Sequence, residues 1–134
     1  MALDLSSEMV KVCQEKGINA REFDFYDLQE LDTKFDCVWA MNSLLHVPKS
    51  DLLAVLKGID SVLNENGLFF MGVYGGDDSE SDFVNSFSDT PRFFSSYAEQ
   101  SLKKALTEVF EIISFEQLDV GREKDFQSVI MRKK

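Results

Sequence analysis

A chain of 134 residues, 44% of them hydrophobic and twelve of them Phe, carries enough apolar surface for one core and is too short for two ordinary domains. Fourteen basic against 24 acidic residues leave a formal charge of −10; Asp77, Asp78, Glu80, Asp82 and Asp89 follow one another without a Lys or Arg between them, and such a surface repels phosphate backbones, which argues against nucleic acid as a partner. Cys13 and Cys37 lie in apolar periodic segments with no Cys or His at metal-ligand spacing, so no metal site is expected and reduced, buried thiols are.

No basic stretch leads into an apolar one at the start, and no apolar run approaches the roughly 20 residues of a membrane span, so a cytoplasmic protein without membrane contact is expected. There is no internal repeat and no low-complexity tract; residues 1–134 read as a single domain.

Ala2-Leu3-Asp4 is too short for a complete strand. Ser6 then offers a helix N-cap with Glu8 in the first turn, Met9, Val12, Cys13 and Lys16 follow at helical spacing, and Gly17 supplies the left-handed stop, which predicts a helix over Ser7 to Lys16. Ile18 to Phe23 alternates as a strand. Phe35 to Met41 is a nearly unbroken apolar run of strand length, the pattern of a central parallel strand buried on both faces. Ser50 starts a second helix, with Leu52, Leu53, Leu56, Ile59, Val62 and Leu63 as its apolar stripe, and Asn64-Glu65-Asn66-Gly67 stops it. Leu68 to Val73 reads as a further strand buried on both sides.

Gly75 to Pro91, rich in Gly, Ser and Asp, lacks periodicity and is expected to be a loop with one helical turn at Asp82 to Phe87. Ser96-Tyr97-Ala98-Glu99 has the form of a capping box for a helix carrying Leu102, Leu106 and Val109. Phe110 to Leu118 and Phe126 to Met131 follow as consecutive strands around a turn at Gly121 and should pair antiparallel. The basic run Arg132, Lys133 and Lys134 is expected to end in solvent. These elements describe an α/β domain with a mostly parallel sheet, helices on both faces and a C-terminal antiparallel hairpin.

That layout resembles the Rossmann-like fold of class I S-adenosylmethionine-dependent methyltransferases, whose seven-stranded sheet also ends in an antiparallel hairpin. The resemblance runs over essentially the whole chain, beginning at the family's second strand. It implies S-adenosyl-L-methionine as cofactor and a small-molecule methyl acceptor. Leu3-Asp4-Leu5-Ser6 is similar to the end of the family's second strand, so Asp4 would take both ribose hydroxyls, with Leu5 beside it; an Asp that merely supports the following helix is the competing reading.

Asp24, at the family's spacing before Phe35-Asp36, would accept from the adenine amino group with the backbone of Phe25 at the ring edge, while Asp27 competes for that part and Asp36 reads as structural. Met41 and Asn42 open the loop Asn42-Ser43-Leu44-Leu45-His46-Val47-Pro48, which resembles the one beside the cofactor's methionine portion. There His46, the single histidine, is either a general base or a loop-fixing side chain bonded to a backbone carbonyl. Tyr74, Arg92 and Tyr97 fall in the family's acceptor region; Arg92 would clamp a carboxylate or else pair with the acidic loop.

One family motif is missing, the glycine-rich turn after the first strand. That strand lies mid-sheet in the family, so its loss predicts two open edges facing a gap. Three outcomes follow: the sheet closes up, another copy fills the gap as a homodimer or swapped assembly, or upstream residues are missing from this sequence. Two functions compete accordingly, a small-molecule methyltransferase and a non-catalytic, methyltransferase-like partner or regulatory subunit; a different doubly wound nucleotide-binding domain is a third reading.

Overall fold

The computed structural model describes residues 1–85, 88–121 and 124–134. Its elements are β1 (Ala2–Asp4), α1 (Ser7–Glu15), β2 (Ala20–Glu22), β3 (Phe35–Met41), α2 (Lys49–Ser61), β4 (Leu63–Tyr74), β5 (Ser79–Asn85), β6 (Ser88–Ser96), α3 (Glu99–Thr107), β7 (Phe110–Leu118) and β8 (Phe126–Lys133), with short 3-10 helices at Phe25–Glu30 and Leu44–His46. They form the α/β fold expected, with a mixed sheet ordered β3-β4-β8-β7, parallel between β3 and β4 and antiparallel through the terminal hairpin.

Local signals hold where the residues that matter are neighbours in sequence. Ser6 accepts the Met9 amide on its hydroxyl, and Gly17 closes α1 at φ 77°. The two other helices are capped from a distance. Pro48 rather than Ser50 precedes α2, and the Lys49 amide donates to the Glu80 carboxylate at 2.6 Å. The capping box at Ser96 does not form, because Ser96 ends β6 and α3 begins at Glu99; Asp78 takes the Ala98 amide and the Ser101 hydroxyl instead.

The expected loop at Gly75 to Pro91 is a β-hairpin, β5 with β6, so residues 82–85 are extended rather than helical; the rest of that expected turn, 86–87, lies outside the described residues. Glu80 on β5 and Ser95 on β6 bond inward, Ser95 to the Val47 carbonyl at 2.7 Å, which is why a polar segment without periodicity still folds down onto the domain. The basic terminus does not simply end in solvent. Lys133 donates to the Asp60 and Leu63 carbonyls, and Lys34 donates to Ser61, so two cations sit at the C-terminal end of α2 where the helix dipole favours them.

The core lies between the four-stranded sheet and α2 and α3, with Phe69, Met71 and Val73 of β4, Val129 and Met131 of β8, and Leu56, Ile59, Leu102, Leu106 and Phe110 buried. The opposite face of that sheet is open. Trp39 is 66% exposed and stacks on Phe70 with ring centroids 3.7 Å apart, while Met41, Leu68 and Ile130 are also exposed.

The apolar runs of β3 and β4 are therefore buried on one side only, contrary to expectation, and Cys37 is exposed rather than buried. The reason is topological: β1 and β2 form a separate parallel pair, no ladder joins β1 to β3, and α1 packs on that pair. The sheet has not closed up. Between β1 and β3 runs a cleft of about 1400 Å³, walled by Leu3, Leu5 and Met9 on one side and by Val38, Trp39 and Ala40 on the other.

Candidate functional site

The cleft opens at the C-terminal ends of β1 and β3, and the residues after those strands set its chemistry. Asp4 ends β1 in register with Glu22 of β2, and the Phe23 amide donates to the Asp4 carbonyl at 3.0 Å. Asp4 and Asp24 thus leave adjacent parallel strands at one rim, where strands lie about 4.8 Å apart. Each carboxylate spends one oxygen locally, Asp4 on the Ser6 amide at 2.8 Å and Asp24 on the Tyr26 amide at 3.0 Å. The second oxygen of each makes no hydrogen bond among the described residues.

Asp4, Leu5, Phe25 and Asn42 line the cleft; Met41 is exposed beyond it on the open sheet face, and Asp24 stands at the rim outside the lining. Asn42 takes the left-handed conformation at φ 53° while its amide donates to the Gly72 carbonyl at 2.8 Å, which turns the chain sharply off β3 toward the cleft. Asp27 is exposed, and Asp36 accepts from Asn64 at 2.8 Å, a structural contact.

His46 reaches the cleft from the next 3-10 turn. Its Nδ1 lies 2.8 Å from the Phe93 carbonyl, and because a carbonyl only accepts, Nδ1 carries a proton and Nε2 is the ring nitrogen left for a ligand. The same bond ties the loop to β6, whose Arg92 and Phe93 also line the cleft. This bond is the one expected of a loop-fixing side chain, and Nε2 of the same ring makes no hydrogen bond among the described residues.

Tyr74 and Tyr97 do not come to this cleft. Tyr74 packs edge-on against Phe126. Tyr97 is buried in the core, 3% exposed, under the Lys49 ammonium at 4.8 Å, beside a separate pocket of about 320 Å³. Burial pushes the Tyr97 phenol up to about 12 against the lowering effect of the nearby Ser95 hydroxyl, and the charges of Glu80 and Asp78 add to the rise. Sequence reasoning missed Tyr26 and Phe93, aromatic side chains that line the cleft. Tyr26 donates to Asp51 at 3.2 Å, and partial burial together with that carboxylate raises its pKa. No periodicity marks either residue, because each arrives from a turn or a hairpin.

Residues 1–67, half of the chain, match the methyltransferase domain family. This chain belongs to that family. No curated protein sequence matches the domain. Among solved structures, an S-adenosylmethionine-dependent methyltransferase from Methanosarcina mazei shares the fold at a TM-score of 0.79 and 15% identity over 98% of this chain and 80% of that one. The 1,6-didemethyltoxoflavin-N1-methyltransferase of Burkholderia thailandensis, crystallised with its substrate and S-adenosylhomocysteine, aligns at 0.73 and 21% identity over 98% of this chain and 60% of its own.

The [4+2]-cyclase SpnF aligns at 0.74 and 17% identity, over 98% of this chain and 65% of its own. One fold therefore serves more than one reaction, and at these identities the likeness speaks for fold alone. The methyltransferase domain takes S-adenosylmethionine as its cofactor, and the rim fits the adenosine half of that molecule in kind: Asp4 and Asp24 each keep one acceptor oxygen unengaged among the described residues, and the ribose diol and the adenine amine are donors.

Proposed function

We propose that this single, partial domain binds S-adenosylmethionine along the rim from Asp24 to Asn42 and transfers its methyl group to a small molecule held between the loop at His46 and strand β6. Asp4 accepts from the ribose hydroxyls, with Leu5 against the sugar; Asp24 and the Phe25 backbone take the adenine edge; Met41 and Asn42 stand toward the methionine portion. When bound, the cofactor supplies an electrophilic methyl group on a sulfonium. The chain's share is to align an acceptor with that methyl, to keep water out, and to take the acceptor's proton on Nε2 of His46, whose Nδ1 is held by the Phe93 carbonyl.

Arg92 approaches the acceptor from the cleft wall. Tyr74, packed on Phe126, and the buried Tyr97 stand away from the cleft and take a structural part.

The observation that carries this reading is the shared rim of Asp4 and Asp24. Titration calorimetry with S-adenosylhomocysteine tests it: binding by the pure chain that weakens in D4N and D24N supports it, and no heat at high ligand concentration overturns it. A second reading, the non-catalytic partner, draws on the open cleft between β1 and β3, which stands where the family's glycine-rich strand and turn would lie.

The same open edges support a homodimer or swapped assembly in which a second copy covers them. Among the described residues no helix is long and apolar enough to cross a membrane. Two free cysteines favour a cytoplasmic setting, and the charge of −10 gives neither nucleic acid nor membrane a place in this reading.

A further inference from the structure

We infer that the methyl acceptor is an anion with an apolar body, a small carboxylate, and that the Arg92 guanidinium is the group that pairs with it. This rests on the function proposed above and deepens it.

The acidic hairpin would be the natural partner of Arg92, yet three of its carboxylates are engaged elsewhere, and Asp82, opposite Phe93, pairs with no cation among the described residues. Asp77 pairs with Lys124 at 3.7 Å, Asp78 with Lys49 at 3.4 Å and with Ser101 and Ala98, and Glu80 accepts from the Lys49 amide and from Ser95. No carboxylate among the described residues pairs with Arg92, in a chain where acids exceed bases by ten. Its strand is held just beyond it by the His46 bond to the Phe93 carbonyl and the Ser95 hydroxyl's bond to Val47, so the guanidinium is presented from a fixed strand.

The cleft that Arg92 lines offers it no Lys or second Arg as company, and Asp4, at the far rim, is bonded to Ser6. Phe93, Phe25 and Tyr26 supply apolar and aromatic walls nearby. An unpaired planar cation beside aromatic walls recognises a carboxylate by a two-pronged hydrogen bond and the attached hydrocarbon by burial. Nε2 of His46 is on the same wall, where the acceptor's nucleophile would shed its proton.

The test is titration of the full chain with phenylacetate and with phenylacetamide, its neutral isostere, in the wild type, R92Q and R92K, each with and without S-adenosylhomocysteine. The wild type should prefer the acid about tenfold or more, R92K should keep part of that preference and R92Q should lose it, while S-adenosylhomocysteine affinity stays the same in all three. Equal binding of acid and amide by the wild type, or an acid preference that survives in R92Q, overturns the inference. Loss of S-adenosylhomocysteine binding with the acid preference intact overturns the methyltransferase reading and leaves the carboxylate site standing. Thermal melting of each variant separates a lost site from a lost fold.

Discussion

The carbonyl of Asp4 accepts the amide of Phe23 at 3.0 Å, and that one bond extends the β1–β2 ladder far enough to set Asp4 and Asp24 on a single rim. Two short parallel strands with three paired residues each would otherwise leave the positions of both carboxylates loosely determined.

Replacing either carboxylate by its amide keeps the local turn, because the Asn oxygen still accepts from Ser6 or Tyr26, and removes the charge that faces the ligand. Hydrogen bonds to charged groups contribute about 1.5–3 kcal/mol. D4N and D24N should each weaken S-adenosylhomocysteine binding about tenfold or more with little change in melting temperature. Calorimetry beside a thermal melt checks this, and full affinity in both variants would contradict it.

Trp39 is the single tryptophan, and it reports on the open face. Its emission should be that of a hydrated indole and should be quenched freely by acrylamide at low protein concentration. If a second copy covers the β1 and β3 edges, raising the concentration shifts the emission to the blue and protects both the indole and the Cys37 thiol. W39S then lowers the sedimentation-derived association constant. A monomer at all concentrations removes the homodimer from the proposed function.

Two groups give the fold opposite pH limits. The Ser101 hydroxyl, followed by the Ala98 amide and Lys49, holds the Asp78 carboxyl below the 3.8 of a free side chain. Its contribution is complete above that value and is lost as pH falls through the lower folded one. Tyr97 runs the other way: its phenol is raised from 10.0 to about 12, so its contribution is complete below 10.0 and is lost as pH rises toward 12. Circular dichroism against pH should show α3 and the hairpin loosening in acid, with S101A moving that acid limit upward. Tyrosinate absorbance should show Tyr97 titrating last, in step with alkaline unfolding.

The turn between α2 and the main run of β4 has little room for substitution. A Cβ at Gly67 would stand 2.9 Å from the Asn64 carbonyl oxygen and 3.2 Å from Leu63 Cβ, and neither neighbour is the free end of a side chain. G67A should cost about 1–3 kcal/mol, read as a lower denaturant midpoint at unchanged slope. N66G, at a position with φ 61°, should be tolerated or slightly stabilising.

Much of the fold could be read along the chain because its signals are local. The N-cap at Ser6, the stop at Gly17, the limits of β3 and the antiparallel pairing of β7 with β8 depend on residues a few positions apart. The rim residues were legible for the same reason, since a strand end followed by a cap places its own carboxylate. The β5–β6 hairpin was not legible: its fold depends on Glu80 and Ser95 meeting partners on α2 and the Val47 carbonyl, far off in sequence. Tyr97 was drawn to the site by its neighbours in sequence, whereas its burial depends on Gln127 and Lys49, distant in the chain.

The amino-acid order by itself determined which segments outside the β5–β6 hairpin become strands and helices, which strand ends carry carboxylates, and the family to which the chain belongs, because short-range hydrogen bonding and apolar periodicity are written in adjacent residues. Tertiary structure alone decided that β3 faces a cleft rather than a neighbouring strand, that Arg92 is left without a carboxylate partner among the described residues while Asp77, Asp78 and Glu80 are engaged elsewhere, and that His46 spends Nδ1 on the Phe93 carbonyl. Those outcomes turn on which distant groups compete for the same hydrogen bonds, and that competition exists only once the chain has folded.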